Sequence, residues 1–225
     1  PDAILKCNNK VFLAERMEAA EVPGPRTLIV HSENRDQVGK LFGLPVVLKL
    51  PDSTFSRGVV KAKTPEELEQ HLDEILKESD LAIAQEYMPS DFDWRIGVLD
   101  GKPLYACKYF MARGHWQIYN WGSDTKKGQE GDFATMAVAD APEFIVDAAV
   151  KAVLAIVGDK GLFGVDVKEF EGKPYVIEVN ECPNIDHGVE DVVLGDDLYR
   201  AIIGSLKACI EEKIGIPQSS TEAAR

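Results

Sequence analysis

Residues 161–183 read GLFGVDVKEFEGKPYVIEVNECP. Apolar and polar side chains alternate along both halves of this stretch, the pattern of two β-strands joined by a tight turn. Val165, Val167, Tyr175, Ile177 and Val179 fall on the set that faces a core, and Asp166, Glu178 and Asn180 fall on the other. Two carboxylates and a carboxamide on one face make an all-oxygen donor set. Such a set suits Mg²⁺, which keeps several waters and shares its shell with phosphates. Register decides whether the three meet, because a one-residue slip turns a side chain to the wrong face. A two-residue loop at Glu171-Gly172 sets Asp166 opposite Ile177 and splits the trio. A three-residue loop, Glu171-Gly172-Lys173, sets Asp166 opposite Glu178 and keeps Asn180 beside them, with Gly172 supplying the positive φ. The expectation is that Asp166, Glu178 and Asn180 point to one side of the sheet and Val165, Ile177 and Val179 to the other. An amphipathic hairpin with a solvated face is the plain alternative.

The chain has 225 residues, enough for one large domain or two small lobes sharing a cleft. With 45% hydrophobic residues it can build a core. Its formal net charge of −13 lacks the basic footprint of a nucleic-acid or anionic-membrane binder. A nucleotide remains compatible, since it needs only a few local cations and a metal. Cys7, Cys107, Cys182 and Cys209 are scattered, as are His31, His71, His115 and His187, so neither a disulfide framework nor a zinc site is expected. No apolar run reaches membrane-spanning length and no signal peptide is visible, which points to a cytoplasmic setting. The chain opens with Pro1, consistent with a piece of a longer protein, and the polar stretch 217–225 reads as a frayed tail.

Taken in order, Asn8 and Asn9 precede a helix over 11–21, which 22–25 (VPGP) ends. A short strand at 27–30, a helix at 33–42, strands at 45–50 and 58–62, and a helix from Pro65 to about 77 make a small lobe. Thr64 is the N-cap of that last helix and Glu67 its capping-box partner. A strand at 81–88 leaves the lobe. Residues 93–99 and 102–111 form a hairpin about Asp100-Gly101. Residues 114–132 read as loop, 142–157 as helix, 184–195 as a second loop and 196–213 as a closing helix. Antiparallel sheets with helices packed on them place the chain in the α+β class. The organisation is a leading helix segment (1–26), a small lobe (27–87), a large lobe with the metal face (88–216) and a tail (217–225).

Several charges sit where charges are awkward. Lys49 interrupts the apolar strand PVVLKL and either lies at an edge or aims at an anion. The loop STFSRG (53–58) after it has the hydroxyls and glycine to fold over phosphates, without the P-loop pattern. With Trp94, Ile96 and Val98 toward the core, Asp93 and Arg95 share the opposite face, Gly97 leaves room beside them, and Lys108 on the returning strand lies near Asp93. Gln85-Glu86 closes an apolar strand and, between two lobes, can hold a purine by backbone bonds. Asp186, His187, Glu190 and Asp191 follow the metal face on a loop, as a solvated run or as substrate contacts.

Together these stretches resemble the ATP-grasp superfamily, most closely its RimK-type amino-acid ligases. The likeness runs from NNKVFLAERMEAAEVPGPRT through VVLKL, the Ser/Gly loop, AQEYM, DWRIGVLDGKPL and GVDVKEF…PYVIEVNECPN, and covers all but the tail. It implies an ATP-grasp fold, two α+β lobes holding ATP between them, and an ATP-dependent carboxylate–amine ligase that works through an acyl phosphate. ATP and Mg²⁺ are the implied cofactors, with Mn²⁺ an alternative. The implied partners are a small-molecule carboxylate and an amine, such as an amino acid or peptide, with homo-oligomerisation open. Carried over by residue, Lys10 and Lys49 meet the ATP phosphates, Glu86 and Tyr87 the adenine, Asp93 the ribose and Asn120 the terminal phosphate. Arg95 meets the transferred phosphate and the carboxylate substrate, and Asp166, Glu178 and Asn180 hold magnesium. The segment 114–132, with Trp116, Tyr119, Trp121, Lys126 and Lys127, is expected to close over ATP. Two departures stand out. After EVN the chain continues ECPNIDH where the family has small residues and a glycine, and the domain that normally precedes Lys10 is not in this sequence. A nucleotide-binding fragment inactive by itself, and an acidic interaction module without enzymatic activity, are the competing readings.

Overall fold

The structure, a computed structural model, describes residues 2–53, 58–120, 122 and 130–215. Helices α1 (Asp2–Asn8) and α2 (Lys10–Ala19) come first. Asn9 divides them: its carboxamide oxygen accepts from the Phe12 N–H at 3.0 Å, so α2 starts at an asparagine cap as the sequence suggests. Next come β1 (Thr27–Val30), α3 (Gln37–Phe42), β2 (Val46–Lys49), β3 (Val59–Ala62), α4 (Pro65–Glu78) and β4 (Ala82–Glu86). These four strands form an antiparallel sheet in the order β1-β4-β2-β3. Thr64 caps α4 by accepting from Glu67 N–H, while the Glu67 carboxylate reaches back to Lys63 N–H at 2.6 Å.

The second sheet runs β7-β6-β5-β8-β9, from β5 (Phe92–Leu99), β6 (Lys102–Phe110), β7 (Phe133–Met136), β8 (Leu162–Phe170) and β9 (Lys173–Asn180). Helix α5 (Glu143–Ile156) packs on one side of it, and α6 (Asp196–Ile214) closes the chain. The α+β class with two antiparallel sheets stands. Strand β7 lies where the sequence reading ended a loop.

Two cores result. Val30, Val46, Leu48, Leu68, Leu72 and Ala84 join the first sheet to α3 and α4. Trp94, Ile96, Ile145, Val153, Val165 and Val179 join the second sheet to α5, and Leu13, Met17 and Val22 belong to this same core. The leading helix segment is therefore part of the second sheet's packing, although the first sheet intervenes in sequence.

Both hairpins of the second sheet depart from the simple parity argument in the same way. The loop at 171–172 has two residues, Glu171 (φ 50) and Gly172 (φ 71), with Phe170 opposite Lys173. That register alone would split the trio. Instead Val167 pairs with Val176 and Asp166 with Glu178, leaving Ile177 as a bulge. The extra residue restores what a three-residue loop would have provided. Core positions change accordingly: Val176 is fully buried, whereas Tyr175 and Ile177 are only partly so and Ile177 looks into the cleft. Around Asp100 (φ 48) and Gly101 (φ 73), Val98 pairs with Pro103 but Gly97 with Tyr105, leaving Leu104 extra. This bulge sets Lys108 opposite Trp94 rather than Asp93, and its ammonium lies over the Phe92 and Trp94 rings. Gly97 leaves room as expected, and the Tyr105 ring fills it; a Cβ there would come within 2.1 Å of that ring.

Candidate functional site

Strand alternation gives each sheet a face turned away from its core. On the first sheet that face carries Val47 and Lys49 of β2 and Gln85 of β4. On the second it carries Asp93 and Arg95 of β5, Tyr109 of β6, Asp166 and Lys168 of β8 and, past the bulge, Glu178 and Asn180 of β9. The faces meet across a cleft. Lys10, Lys49, Glu86, Tyr87, Asp93, Asp166 and Glu178 all line it, although they span most of the chain.

Lys10 opens α2, and its ammonium donates to the Ser53 carbonyl and lies 3.4 Å from Glu178 Oε1. Its own N–H donates to Pro51 O at 2.9 Å, so the start of α2 is tied to the strand-end loop of the first sheet. Lys49, partly buried, lines the cleft. Enclosure by protein lowers its pKa to about 8, against the pull of the Glu178 carboxylate in the opposite sense. Thr54, Phe55, Ser56 and Arg57 of the Ser/Gly loop lie outside the described residues, as do Trp121, Lys126 and Lys127.

Arg95 forks onto Asp166, with Nε 2.7 Å from Oδ1 and Nη2 2.9 Å from Oδ2. Burial alone would lower the guanidinium pKa; the Asp166 pairing outweighs it and holds the group charged. Asn180 Nδ2 approaches Asp166 Oδ2 and Gly164 O at 3.4 Å. Asp166 and Glu178 are cross-strand partners and Asn180 lies two residues on, so the bulged register assembles the three side chains. Among the described residues no group of three or more His, Cys, Asp or Glu converges. Two carboxylates and an amide are donor types that Mg²⁺ takes, together with water and phosphate oxygens, but Arg95 engages both Asp166 oxygens and Asn180 turns its Nδ2 toward Asp166, so holding the ion would require that fork to open.

At the other end of the cleft, Asp93 accepts from Ser90 Oγ at 3.1 Å and is paired with Lys168. Burial raises the Asp93 pKa in spite of that ammonium. Lys168 is a cation the sequence reading passed over, although the alternation that places Asp166 on this face places Lys168 there too. The Glu86 carboxylate is engaged by Arg26, through its N–H and its Nε, both at 2.8 Å. Base recognition at this hinge would therefore fall to backbone groups. Tyr87 and Trp116 meet edge-to-face, ring centroids 6.0 Å apart, with the Lys61 ammonium over both rings. The Asn120 carboxamide oxygen accepts from the Gly122 N–H at 3.2 Å, beside the Tyr119–Glu130 bridge.

Residues 7–184 match the family model of the ATP-grasp domain. The chain belongs to the ATP-grasp family. Over 151 residues, 67% of this chain and 48% of the relative, it is 29% identical to a D-alanine–D-alanine ligase of Actinobacillus pleuropneumoniae. Over 218 residues, 95% of this chain and 44% of the relative, it is 24% identical to a probable α-L-glutamate ligase of Shewanella halifaxensis. The ATP-grasp chain thus spans about half the length of these curated relatives. In fold it is similar to the crystal structure of D-alanine–D-alanine ligase from Bacillus anthracis, with a TM-score of 0.73 at 19% identity, covering 94% of this chain and 71% of that one. No helix among the described residues is long and apolar enough to cross a membrane.

Proposed function

We propose that this ATP-grasp chain is the nucleotide-handling part of an ATP- and Mg²⁺-dependent ligase that joins a small carboxylate to an amine, an amino acid or peptide among them. The observation that carries this reading is the convergence of Lys10, Lys49, Arg95 and Lys168 on one cleft with Asp166 and Glu178, in a chain whose net charge is −13. These cations are interleaved with the carboxylates Asp93, Asp166 and Glu178, a mixed set that a metal-bound phosphate ligand would divide, its oxygens to the cations and its metal to the carboxylates. Lys10 and Lys49 would hold the ATP phosphates, Asp93 and the 86–88 backbone the nucleoside, and Arg95 the migrating phosphate beside the acyl oxygen. Mg²⁺ would sit on Asp166, Glu178 and Asn180, and when bound it supplies charge neutralisation between phosphate oxygens.

The chemistry asks the chain for position and charge rather than for a nucleophile. The substrate carboxylate oxygen attacks the terminal phosphorus, the bond to the ADP oxygen breaks, and an acyl phosphate forms. The amine then attacks the acyl carbon, phosphate leaves, and the amine proton is lost to solvent. Lys49 and Arg95 offset charge on the phosphoryl oxygens. We assign residues 27–87 to the lobe that carries Lys49, and 88–216 with the leading helices to the lobe that carries Arg95. A second reading, a nucleotide-binding part that does not turn over by itself, is favoured by the half-length match to the relatives. Calorimetry with Mg²⁺ and a non-hydrolysable ATP analogue tests the cleft, and phosphate release from ATP with a panel of amino acids and dipeptides tests turnover. Binding without amino-acid-dependent release selects the second reading. No Mg²⁺-dependent binding overturns both.

A further inference from the structure

The proposed chemistry leaves the loop 184–195 unused, yet two of its acidic residues, Glu190 and Asp191, are buried. Glu190 is 0% exposed. Its carboxylate accepts a hydrogen bond from the Tyr109 hydroxyl and another, at 2.8 Å, from the Asp186 N–H. Both donors are neutral, and a buried carboxylate depends on such hydrogen bonds to offset its lost hydration, so Tyr109 and the Asp186 N–H fix where Glu190 sits. One residue earlier, the Val189 carbonyl accepts from Thr135 Oγ1 at 2.7 Å. One residue later, Asp191 accepts from Gly188 N–H at 2.6 Å and Tyr199 Oη at 3.0 Å. The segment is a strap fastened to β6 and β7 on the face that bears the site.

Tyr109 is also the support under Arg95. The guanidinium carbon lies 5.1 Å from the centroid of the Tyr109 ring, while the fork onto Asp166 fixes the guanidinium at its nitrogens. At the stem, Pro183 at the root of the strap presses on Gly164, where a Cβ would lie 2.7 Å from Pro183 Cβ and 3.8 Å from Arg95 Cδ. Arg95 is thus held by Asp166 at its nitrogens and backed by the Tyr109 ring, and Tyr109 is in turn bonded to the strap. Burial and the Glu190 carboxylate keep the Tyr109 hydroxyl protonated, so it donates throughout the neutral range.

We propose that Glu190, acting through Tyr109, is a positioning residue that fixes the plane of the Arg95 guanidinium. The inference rests on the reading of Arg95 as the cation on the transferred phosphate. Placement of such a donor governs rate, since small displacements of a preorganised charge are expensive.

The test uses Tyr109→Phe and Glu190→Gln in the full chain, with Mg²⁺–ADP and Mg²⁺ with a non-hydrolysable ATP analogue as probes. ADP ends before the phosphate that Arg95 would meet, so its affinity should be unchanged in both variants. Preference for the analogue over ADP should fall about tenfold, as in Arg95→Lys. In protein labelled with ¹⁵N-arginine, the Arg95 Nε–H signal, assigned by its loss in Arg95→Lys, should shift in both variants, although neither side chain bonds that atom. The double variant should lose no more than either single one. An unchanged Arg95 signal together with an unchanged preference overturns the proposal and leaves the strap a packing element. If Tyr109→Phe unfolds, Glu190→Gln, which keeps volume and shape, decides alone. If the wild-type chain does not bind Mg²⁺–ADP, the nucleotide reading falls, while the Arg95 signal still decides the link to Glu190.

Discussion

Lys49 carries its charge where solvent is scarce, and the consequence can be titrated. Its folded pKa of about 8 lies below its ordinary 10.5, so between those values the folded chain binds fewer protons than the unfolded one. Stability from this group therefore rises with pH across that window, and below it the ammonium is held at a cost. What the cost returns is attraction for an anion. Nucleotide affinity should fall as pH rises through 8, by at most about tenfold per unit. Lys49→Arg, always charged, should flatten the profile; a calorimetric series from neutral pH to ~9.5 checks both. Lys168 answers a different question. Lys168→Met strands the partly buried Asp93 carboxylate and should destabilise the fold by ~1–3 kcal/mol in urea titrations, with part recovered by adding Asp93→Asn. No recovery at all in the Lys168→Met, Asp93→Asn pair would place the effect elsewhere than in this ion pair. At this scale the sequence was informative where an ionisable side chain broke an apolar alternation, as at Lys49 and Arg95. It was silent on Tyr109 and named Glu190 only in a run read as solvated or as substrate contacts, whereas Glu190 is buried; the two meet across 81 residues of chain with no local pattern to announce the encounter.

Elements were legible where their signals are local. The Thr64 cap, the Asn9 cap and the Asp100-Gly101 turn are each decided by residues within four of one another. Thr64→Ala should cost about 1 kcal/mol, read as a shift in the denaturation midpoint with unchanged slope. The two bulges were not legible. A strand with one residue too many looks like any other strand, and only the partner's register, pinned by the core, shows which residue is extra. Ile177 and Leu104 are those residues, and the first decides whether Asp166 meets Glu178. Neighbouring substitutions make this testable. Val176→Ala empties a fully buried position and should cost ~2 kcal/mol. Ile177→Ala, facing the cleft, should cost less than about half as much while weakening nucleotide binding. Equal stability losses at both positions would contradict the bulged register.

At the scale of the whole molecule, the residues of the cleft come from both sheets and from α2, so a ligand there couples two hydrophobic cores. A nucleotide that binds only the assembled cleft should stabilise the chain by about 2.7 kcal/mol at a hundredfold excess over its dissociation constant. Thermal unfolding followed at Trp94, in the second core, should shift with Mg²⁺ and a non-hydrolysable ATP analogue. No shift at saturating analogue would mean that the lobes do not close on it. The two-lobe plan was readable from family-like stretches in order. The membership of α2 in the second core was not, because packing across an intervening sheet leaves no mark on local periodicity. That path has a further consequence. The chain leaves the second core near Pro25, builds the first sheet and returns near Met88, with Thr27 opposite Gln85. Arg26 and Glu86 are joined there by two hydrogen bonds to the Glu86 carboxylate and by Glu86 N–H to Arg26 O at 3.1 Å. The first lobe is a cassette: its two ends lie one strand spacing apart, about 4.8 Å. Exchange of this lobe for the corresponding one of another ATP-grasp protein at that seam should therefore leave the lobe that holds Arg95 folded, as checked by a cooperative unfolding transition of the chimera.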